Sequence, residues 1–220
     1  MIIAAMAWLP LLLAIVERVI RQQMRGGSGV TLLYVAGGAV ALGVQMLAGQ
    51  IFLEEERYRK LFDVVLSEAP GAVFMGGDLL PMIFAQTEEG HEDFIGSFLV
   101  AEFQALRDQM GDRYPDVFVI LGNDDLRIEE PAMLDAEKLG VWQYIHRRRS
   151  FLDGYAVYGY SHVPPTPFLL KDWERYDVSR FVDPGCVSPE EGARSVPVDA
   201  TEVRYGTIAR DLDSLVDDRS

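Results

Sequence analysis

The sequence predicts an α/β fold built around a mainly parallel sheet. Two short apolar runs, "AVFM" (72–75) and "DVFVIL" (116–121), each stop at glycine-containing motifs and are separated by a stretch with helical periodicity. Such runs are typical of strands that are buried on both faces. Strands that alternate with helices at this spacing are joined by right-handed crossovers, and these make the sheet parallel.

Residues 1–53 form an apolar N-terminal segment that differs from the rest of the chain, 54–220. No charged residue occurs from Gly29 to Leu53, a run of 25 residues that is long enough to cross a bilayer as a helix. The stretch "VTLLYV" inside it also has the composition of a buried strand. We expect residues 29–53 to be mostly helical, because the run exceeds the length of a normal strand.

The following elements are predicted from periodicity and from their flanking residues. Helices are indicated by "EEERYRKLFDVVLSEAP" (54–70), by "EDFIGSFLVAEFQALRDQMG" (92–111) and, in part, by "LDAEKLGVWQYIH" (134–146). The stretch "GYAVYGYS" (154–161) alternates like a strand. Residues 161–220 are rich in proline and predict ordered loops, followed by a short helix in "TIARDLDSLVDD" (207–218).

The charge balance bears on the class of partner. The chain carries 34 acidic and 20 basic residues, which gives a formal net charge of −14. Proteins that bind a nucleic-acid backbone need a basic surface, so no nucleic-acid partner is expected. An excess of carboxylates is compatible with cation binding.

Both predicted strands lead into glycine followed by side chains that carry oxygen ligands. Asp78 follows Gly77 after the first strand, and Asn123 and Asp124 follow Gly122 after the second. Ligands of open parallel sheets bind beyond the carboxyl ends of the strands. Carboxylate and amide oxygens suit hard divalent ions such as Mg²⁺ or Mn²⁺. Glycine, asparagine and aspartate also favour simple turns, so a metal site and two strand-to-loop turns are both open interpretations.

Three motifs resemble those of the calcineurin-like metallophosphoesterase superfamily, most closely a bacterial and archaeal subgroup. They are "FMGGDLLP" (74–81), "FVILGNDD" (118–125) and "GYSHVPPTPFLLKDWER" (159–175), and the resemblance covers residues 57–220. It implies part of an α/β/β/α sandwich and the hydrolysis of phosphate mono- or diesters by water activated at divalent metal ions (Mn, Mg, Fe or Zn). The phosphate-ester substrate itself is not indicated by any motif.

The resemblance assigns roles to individual residues. Asp78 corresponds to the metal-bridging carboxylate, and Asn123 corresponds to a ligand of one metal. Asp124 occupies the position at which many relatives place a histidine that assists the leaving group, which makes it a catalytic candidate. His162 is a second catalytic candidate because it follows a predicted strand, with a turn histidine held by the neighbouring prolines as the alternative.

The remaining ligand positions of the superfamily are not filled. Its D-x-H motif ends the first strand, where this chain has Gly37 and Ala39. The later histidine and the G-H-x-H motif do not occur within the 220 residues. The sequence therefore predicts a truncated member of the superfamily with an incomplete site and little turnover. A non-catalytic remnant that is attached to a membrane through residues 1–53 is the alternative, and the expected location is the cytoplasm or the cytoplasmic face of a membrane.

Two charged motifs receive structural interpretations. The run "HRRR" (146–149) is interpreted as a surface charge cluster, with contact to a substrate phosphate as the alternative. The run "KDWER" (171–175) is interpreted as a packed tryptophan with charged neighbours.

Overall fold

A computed structural model of the chain describes residues 33–35, 53–81 and 94–216. In these ranges, four strands form one parallel sheet in the order β1 (Leu33–Val35), β2 (Ala72–Gly76), β3 (Asp116–Ile120), β4 (Gln143–Tyr144). Two further strands, β5 (Arg148–Leu152) and β6 (Tyr155–Gly159), form an antiparallel ribbon. The predicted α/β class with a parallel sheet is therefore confirmed.

Helices precede or follow the strands as the periodicity predicts. The α helices are α1 (Leu53–Glu68), α2 (Ala101–Met110), α3 (Glu130–Lys138), α4 (Ala200–Tyr205) and α5 (Ile208–Val216). A π-helical segment (Phe94–Val100) leads into α2, and 3₁₀ turns follow α2 (Gly111–Arg113) and precede α3 (Arg127–Glu129). Within the described ranges, none of these helices combines the length and the apolar content that a bilayer crossing requires.

The apolar N-terminal segment contributes a strand to the sheet. β1 pairs in parallel with β2, with Leu33 opposite Val73 and Val35 opposite Met75. The expectation that 29–53 is mostly helical is therefore wrong for residues 33–35. Tyrosine and valine favour an extended backbone. The free edge of β2 supplies hydrogen-bond partners for the backbone of residues 33–35. Apart from β1 and the first residue of α1, the segment 1–53 lies outside the described residues, and so does its predicted membrane contact.

One face of the parallel sheet packs against helices. α1 buries Tyr58, Phe62 and Val65, which are spaced at i, i+4 and i+7 and so share one side of the helix. The Phe62 ring meets the ring of Phe103 in α2 edge-to-face, with 5.0 Å between the centroids. Strand residues such as Val119 belong to the same apolar cluster. This cluster is the main hydrophobic core.

The other face of the sheet packs against the antiparallel ribbon. Phe118 is buried on this face, and its ring stacks on that of Phe74 with 5.0 Å between the centroids. Leu152 of β5 and Val157 of β6 pack against the same small cluster. Successive strand residues point to opposite faces, so β3 contributes to both clusters. The described residues thus form a helical layer, a parallel sheet and a two-stranded ribbon.

The proline-rich region after β6 is mostly loop, as predicted, and it ends in two short helices rather than one. α5 is the predicted helix. Asp199 is the N-cap residue of α4, and its carboxylate accepts the backbone N–H groups of Thr201 at 2.8 Å and Glu202 at 3.2 Å. The predicted burial of Trp173 is confirmed, since its side chain has no exposed surface.

Candidate metal centre

The two glycine–aspartate motifs lie side by side at one edge of the sheet. β2 and β3 are neighbouring parallel strands, and their last residues, Gly76 and Ile120, are paired. Gly77 and Gly122 therefore leave the sheet at the same edge, as the strand pattern predicts. Asp78 accepts the backbone N–H of Asp124 through Oδ1 at 3.2 Å, which links the two motifs directly.

Two glycines allow this close approach. Gly77 has a φ of +102°, a conformation that favours glycine, and a Cβ on it would lie 2.6 Å from the Cα of Gly122. A Cβ on Gly122 would collide with both Oδ1 and the backbone nitrogen of Asp78. The packing of the two turns therefore requires glycine at both positions, and the position of Asp78 depends on it.

The substitution Gly122→Ala tests this requirement. We expect it to lower the free energy of unfolding by about 1–3 kcal/mol, because the new methyl group must displace Asp78 or its backbone. Gly71→Ala is the matched control, since a Cβ at Gly71 meets no atom within 4 Å. Chemical denaturation followed by tryptophan fluorescence measures both variants. Equal stability of the two would show that the turns are not packed as described.

Asp78 and Asp124 concentrate negative charge at this edge. Asp78 is buried, with 7% of its surface exposed, and it has a φ of +54°. Burial raises the pKa of Asp78, against the lowering influence of the Asp124 N–H. Burial also raises the pKa of Asp124, and the negative charges of Asp78 and Glu174 raise it further. A cation between the carboxylates of Asp78 and Asp124 would relieve this unfavourable charge.

Asn123 completes the set of oxygen-bearing side chains. It is half-buried, and its Nδ2 donates to Oδ1 of Asp124 at 3.3 Å, which leaves the amide oxygen outside that bond. Asp78 and Asn123 carry oxygen atoms of the kind that a hard divalent cation prefers, and Asp124 lies beside them. Among the residues that the structure describes, no group of three or more histidine, cysteine, aspartate or glutamate side chains is arranged to hold a metal.

Asp125 has a structural role that the sequence patterns do not assign. Its side chain is 1% exposed and accepts the N–H groups of Leu79 at 2.9 Å, Leu80 at 2.8 Å and Gly122 at 2.7 Å. Burial raises the pKa of Asp125 to about 7, and these three donors act in the opposite direction. One carboxylate thus holds the loop after β2 against the end of β3. The available sequence signal is the second aspartate of "GNDD", placed where the backbone leaves a buried strand.

His162 lies in a second cluster of buried rings. Its ring centroid is 5.2 Å from that of His146 and 5.7 Å from that of Trp173. Burial lowers the pKa of His162 to about 2, and the nearby His146 ring and arginines lower it further, so the ring is neutral at physiological pH. His146 is buried as well, and the interpretation of "HRRR" as a surface cluster is wrong for this residue because its ring packs against that of Trp173. Arg147 is exposed, as predicted.

Comparisons of the chain with protein-family models, with curated proteins and with solved structures find no match. The function of the chain is therefore inferred from the geometry of the strand ends and from the motifs at residues 74–81, 118–125 and 159–175.

Proposed function

We propose that this protein is a metallophosphoesterase-type protein that holds a divalent cation at Asp78 and Asn123, with Asp124 beside them. Its chemistry would be the hydrolysis of a phosphate mono- or diester. The observation that carries this proposal is the meeting of the two motifs at neighbouring strand ends, where Asp78 accepts the N–H of Asp124. The carboxyl edge of a parallel sheet is where such folds bind ligands.

The arrangement of layers supports the proposed family. Helices cover one face of the parallel sheet and the β5–β6 ribbon covers the other. These correspond to the first layers of an α/β/β/α sandwich, the finer fold that we propose for the whole domain.

The residues of the site have distinct tasks in this proposal. A bound Mn, Mg, Fe or Zn ion supplies positive charge for the phosphoryl oxygens and lowers the pKa of a bound water. Asp78 is fixed for ligation by its bond to the Asp124 N–H. Asp124 stands where many members of the resembled superfamily place a residue that assists the leaving group, and we propose it for that role beside the ligands Asp78 and Asn123.

A non-catalytic cation-binding protein is the second candidate function. The small number of ligands among the described residues favours it, since an ion held by few side chains positions the reacting atoms poorly. The two candidates share the metal site and differ in turnover. Attachment to a membrane through residues 1–53 and a location at the cytoplasmic face accompany this second candidate.

Binding of Mn²⁺ to the full chain tests the shared site. We expect Asp78→Asn to weaken Mn²⁺ binding by about tenfold or more, which corresponds to at least about 1.4 kcal/mol, because an amide replaces a charged ligand. Asp112→Asn is the control, since Asp112 is an exposed aspartate in the 3₁₀ turn after α2. Electron paramagnetic resonance of free Mn²⁺ gives the affinity. Equal affinity of both variants would contradict the assignment.

Hydrolysis of bis-p-nitrophenyl phosphate in the presence of Mn²⁺ separates the two candidates. Metal-dependent turnover that is lost in Asp78→Asn supports the phosphoesterase. Mn²⁺ binding without turnover supports the non-catalytic protein, which is the outcome that the small ligand set favours.

A further inference from the structure

Four buried polar atoms in one cluster lack hydrogen-bond partners. They are Nε2 of His146, Oγ of Ser161, Nδ1 of His162 and Nε1 of Trp173, and none has a well-formed hydrogen bond within the described part of the chain. The Ser161 hydroxyl does interact with the Tyr144 side chain, where it opposes the rise of the tyrosine pKa that burial causes. All four side chains are more than nine-tenths buried. The His146 ring centroid is 5.0 Å from that of Trp173 and 5.2 Å from that of His162, so the atoms belong to one packed group. Buried polar atoms rarely lack hydrogen-bond partners, and four such atoms in one cluster indicate a site that binds a ligand.

The chemistry of these atoms calls for a hydrogen-bond acceptor. Nδ1 of His146 accepts the backbone N–H of Ser161 at 3.0 Å, so the proton of the neutral ring is on Nε2. Burial lowers the pKa of His146 to about 3, which keeps the ring neutral. Nε1 of Trp173 can only donate, and the Ser161 hydroxyl can donate as well. A protonated Nε2 is a poor metal ligand, so the cluster fits an oxygen acceptor better than a metal ion.

Arginines surround the cluster although the chain as a whole is acidic. The guanidinium carbon of Arg127 lies 5.4 Å from the centre of the Trp173 ring. The positive charges of Arg127, Arg147 and Arg175 all disfavour protonation of both histidines. Arg194 is half-buried; burial lowers its pKa, and the negative charges of Asp172 and Glu174 act in the opposite direction. A half-buried guanidinium beside unpartnered donors favours a negatively charged ligand.

A small cavity adjoins the cluster at His162 and is the candidate binding site for the ligand. It has a volume of about 20 Å³, and of the four cluster residues only His162 lines it. Its wall also includes Arg127 and Arg194, together with the carboxyl side chains of Asp172 and Glu202. The carboxylate of Glu174, which also lines it, is engaged by a buried ion pair with Lys171. A cavity of this size holds about one water molecule or one oxygen atom of a larger group. The rest of such a group would remain at the mouth, beside the arginines.

We propose that the cavity at His162, on the edge of the cluster with His146, Ser161 and Trp173, binds one oxygen of a phosphoryl group, with Arg127 and Arg194 as its charge partners. The phosphoryl identity of the ligand rests on the proposed function, whereas the need for an anionic acceptor rests on the unpartnered donors. Glu174 connects this subsite with the metal centre, because it lines the cavity and its charge acts on Asp124. The subsite would hold the phosphate ester at the side of the metal centre.

Inorganic phosphate added to the metal-free, ¹⁵N-labelled full chain tests the subsite. We expect a saturable shift of the Trp173 indole N–H signal, assigned with Trp173→Phe. The Trp142 indole is the internal control, since it donates to the Met133 carbonyl at 3.0 Å and should not move. Arg194→Gln should weaken phosphate binding at least about tenfold, a loss of about 1.4 kcal/mol. Arg210→Gln, an exposed arginine outside the cavity, should not.

The other outcomes overturn the proposal in different ways. No shift, or an equal shift with chloride, means that the donors bind water or any small anion. An equal affinity for acetate means a carboxylate ligand instead of a phosphoryl group. The Mn²⁺ experiment is independent: a saturable phosphate shift without Mn²⁺ binding leaves the subsite intact and removes the proposed metal site. Mn²⁺ binding without the phosphate shift leaves the proposed metal site intact and removes the subsite.

Discussion

Replacement of Asp125 by alanine is expected to lower the free energy of unfolding by about 4 kcal/mol. The substitution removes the acceptor of three buried backbone N–H groups, those of Leu79, Leu80 and Gly122. Each unsatisfied buried donor costs about 1–3 kcal/mol. Because the carboxylate joins two chain segments 45 residues apart, the loss also frees the loop that carries Asp78.

Two variants make this expectation specific. Asp124→Ala is the matched control, because Asp124 is the neighbouring residue and is only half-buried. We expect it to change stability by less than about 1 kcal/mol. Asp125→Asn keeps one acceptor oxygen but turns an amide NH₂ towards backbone donors, so its effect should fall between the two. Urea unfolding measures all three, and similar losses for Asp124→Ala and Asp125→Ala would contradict the special role of Asp125.

Acidification from pH 7 to pH 5 is expected to remove about 4 kcal/mol of stability through His146 and His162 together. In the folded state their pKa values are lowered to about 3 and about 2 by burial, so neither ring takes up a proton in this range. In the unfolded chain both titrate near 6.5 and become protonated. Protons therefore bind the unfolded state preferentially, and the stabilising contribution is present above about pH 6.5 and lost as the pH falls. Each histidine contributes about 2 kcal/mol over these two pH units.

A histidine variant isolates this contribution from that of the carboxylates. The raised pKa values of Asp78, Asp124 and Asp125 act in the opposite direction, since the folded state then binds protons more readily than the unfolded chain. The informative quantity is the difference between the wild type and His162→Gln at each pH, measured in phosphate-free buffer. We expect this difference to shrink by about 2 kcal/mol between pH 7 and pH 5. A constant difference would mean that His162 is accessible to protons in the folded protein.

The elements that depend on local pattern are predictable from the sequence. The helix that begins near Glu54, the strands "AVFM" and "DVFVIL", and the helix before Gly111 all occur where periodicity and breaking residues place them. The neighbouring position of Asp78 and Asp124 also follows from the pattern, because parallel strands of successive crossovers end at one edge. These predictions need only the alternation of elements and the chemistry at their ends.

The features that depend on distant contacts are not predictable in this way. Residues 33–35 form a strand because β2 offers an edge, and the composition of their surroundings equally suits a helix. The role of Asp125 depends on donors from the loop after β2, and no local pattern shows them. His146 stands before three arginines and has the sequence context of a surface residue, yet Trp173, 27 positions later in the sequence, packs against it. The unpartnered donors of that cluster appear only when the two segments meet.

The order of strands in the parallel sheet has a consequence for synthesis of the chain. β1, β2, β3 and β4 lie in the sheet in the order in which a ribosome releases them. Each new strand can therefore add to the strand made just before it, and none has to be inserted between two that are already paired. Growth at one edge leaves that edge temporarily exposed to other nascent chains. β4 is the last strand of the described sheet, and because it has only two residues it presents few unpaired backbone groups at that edge.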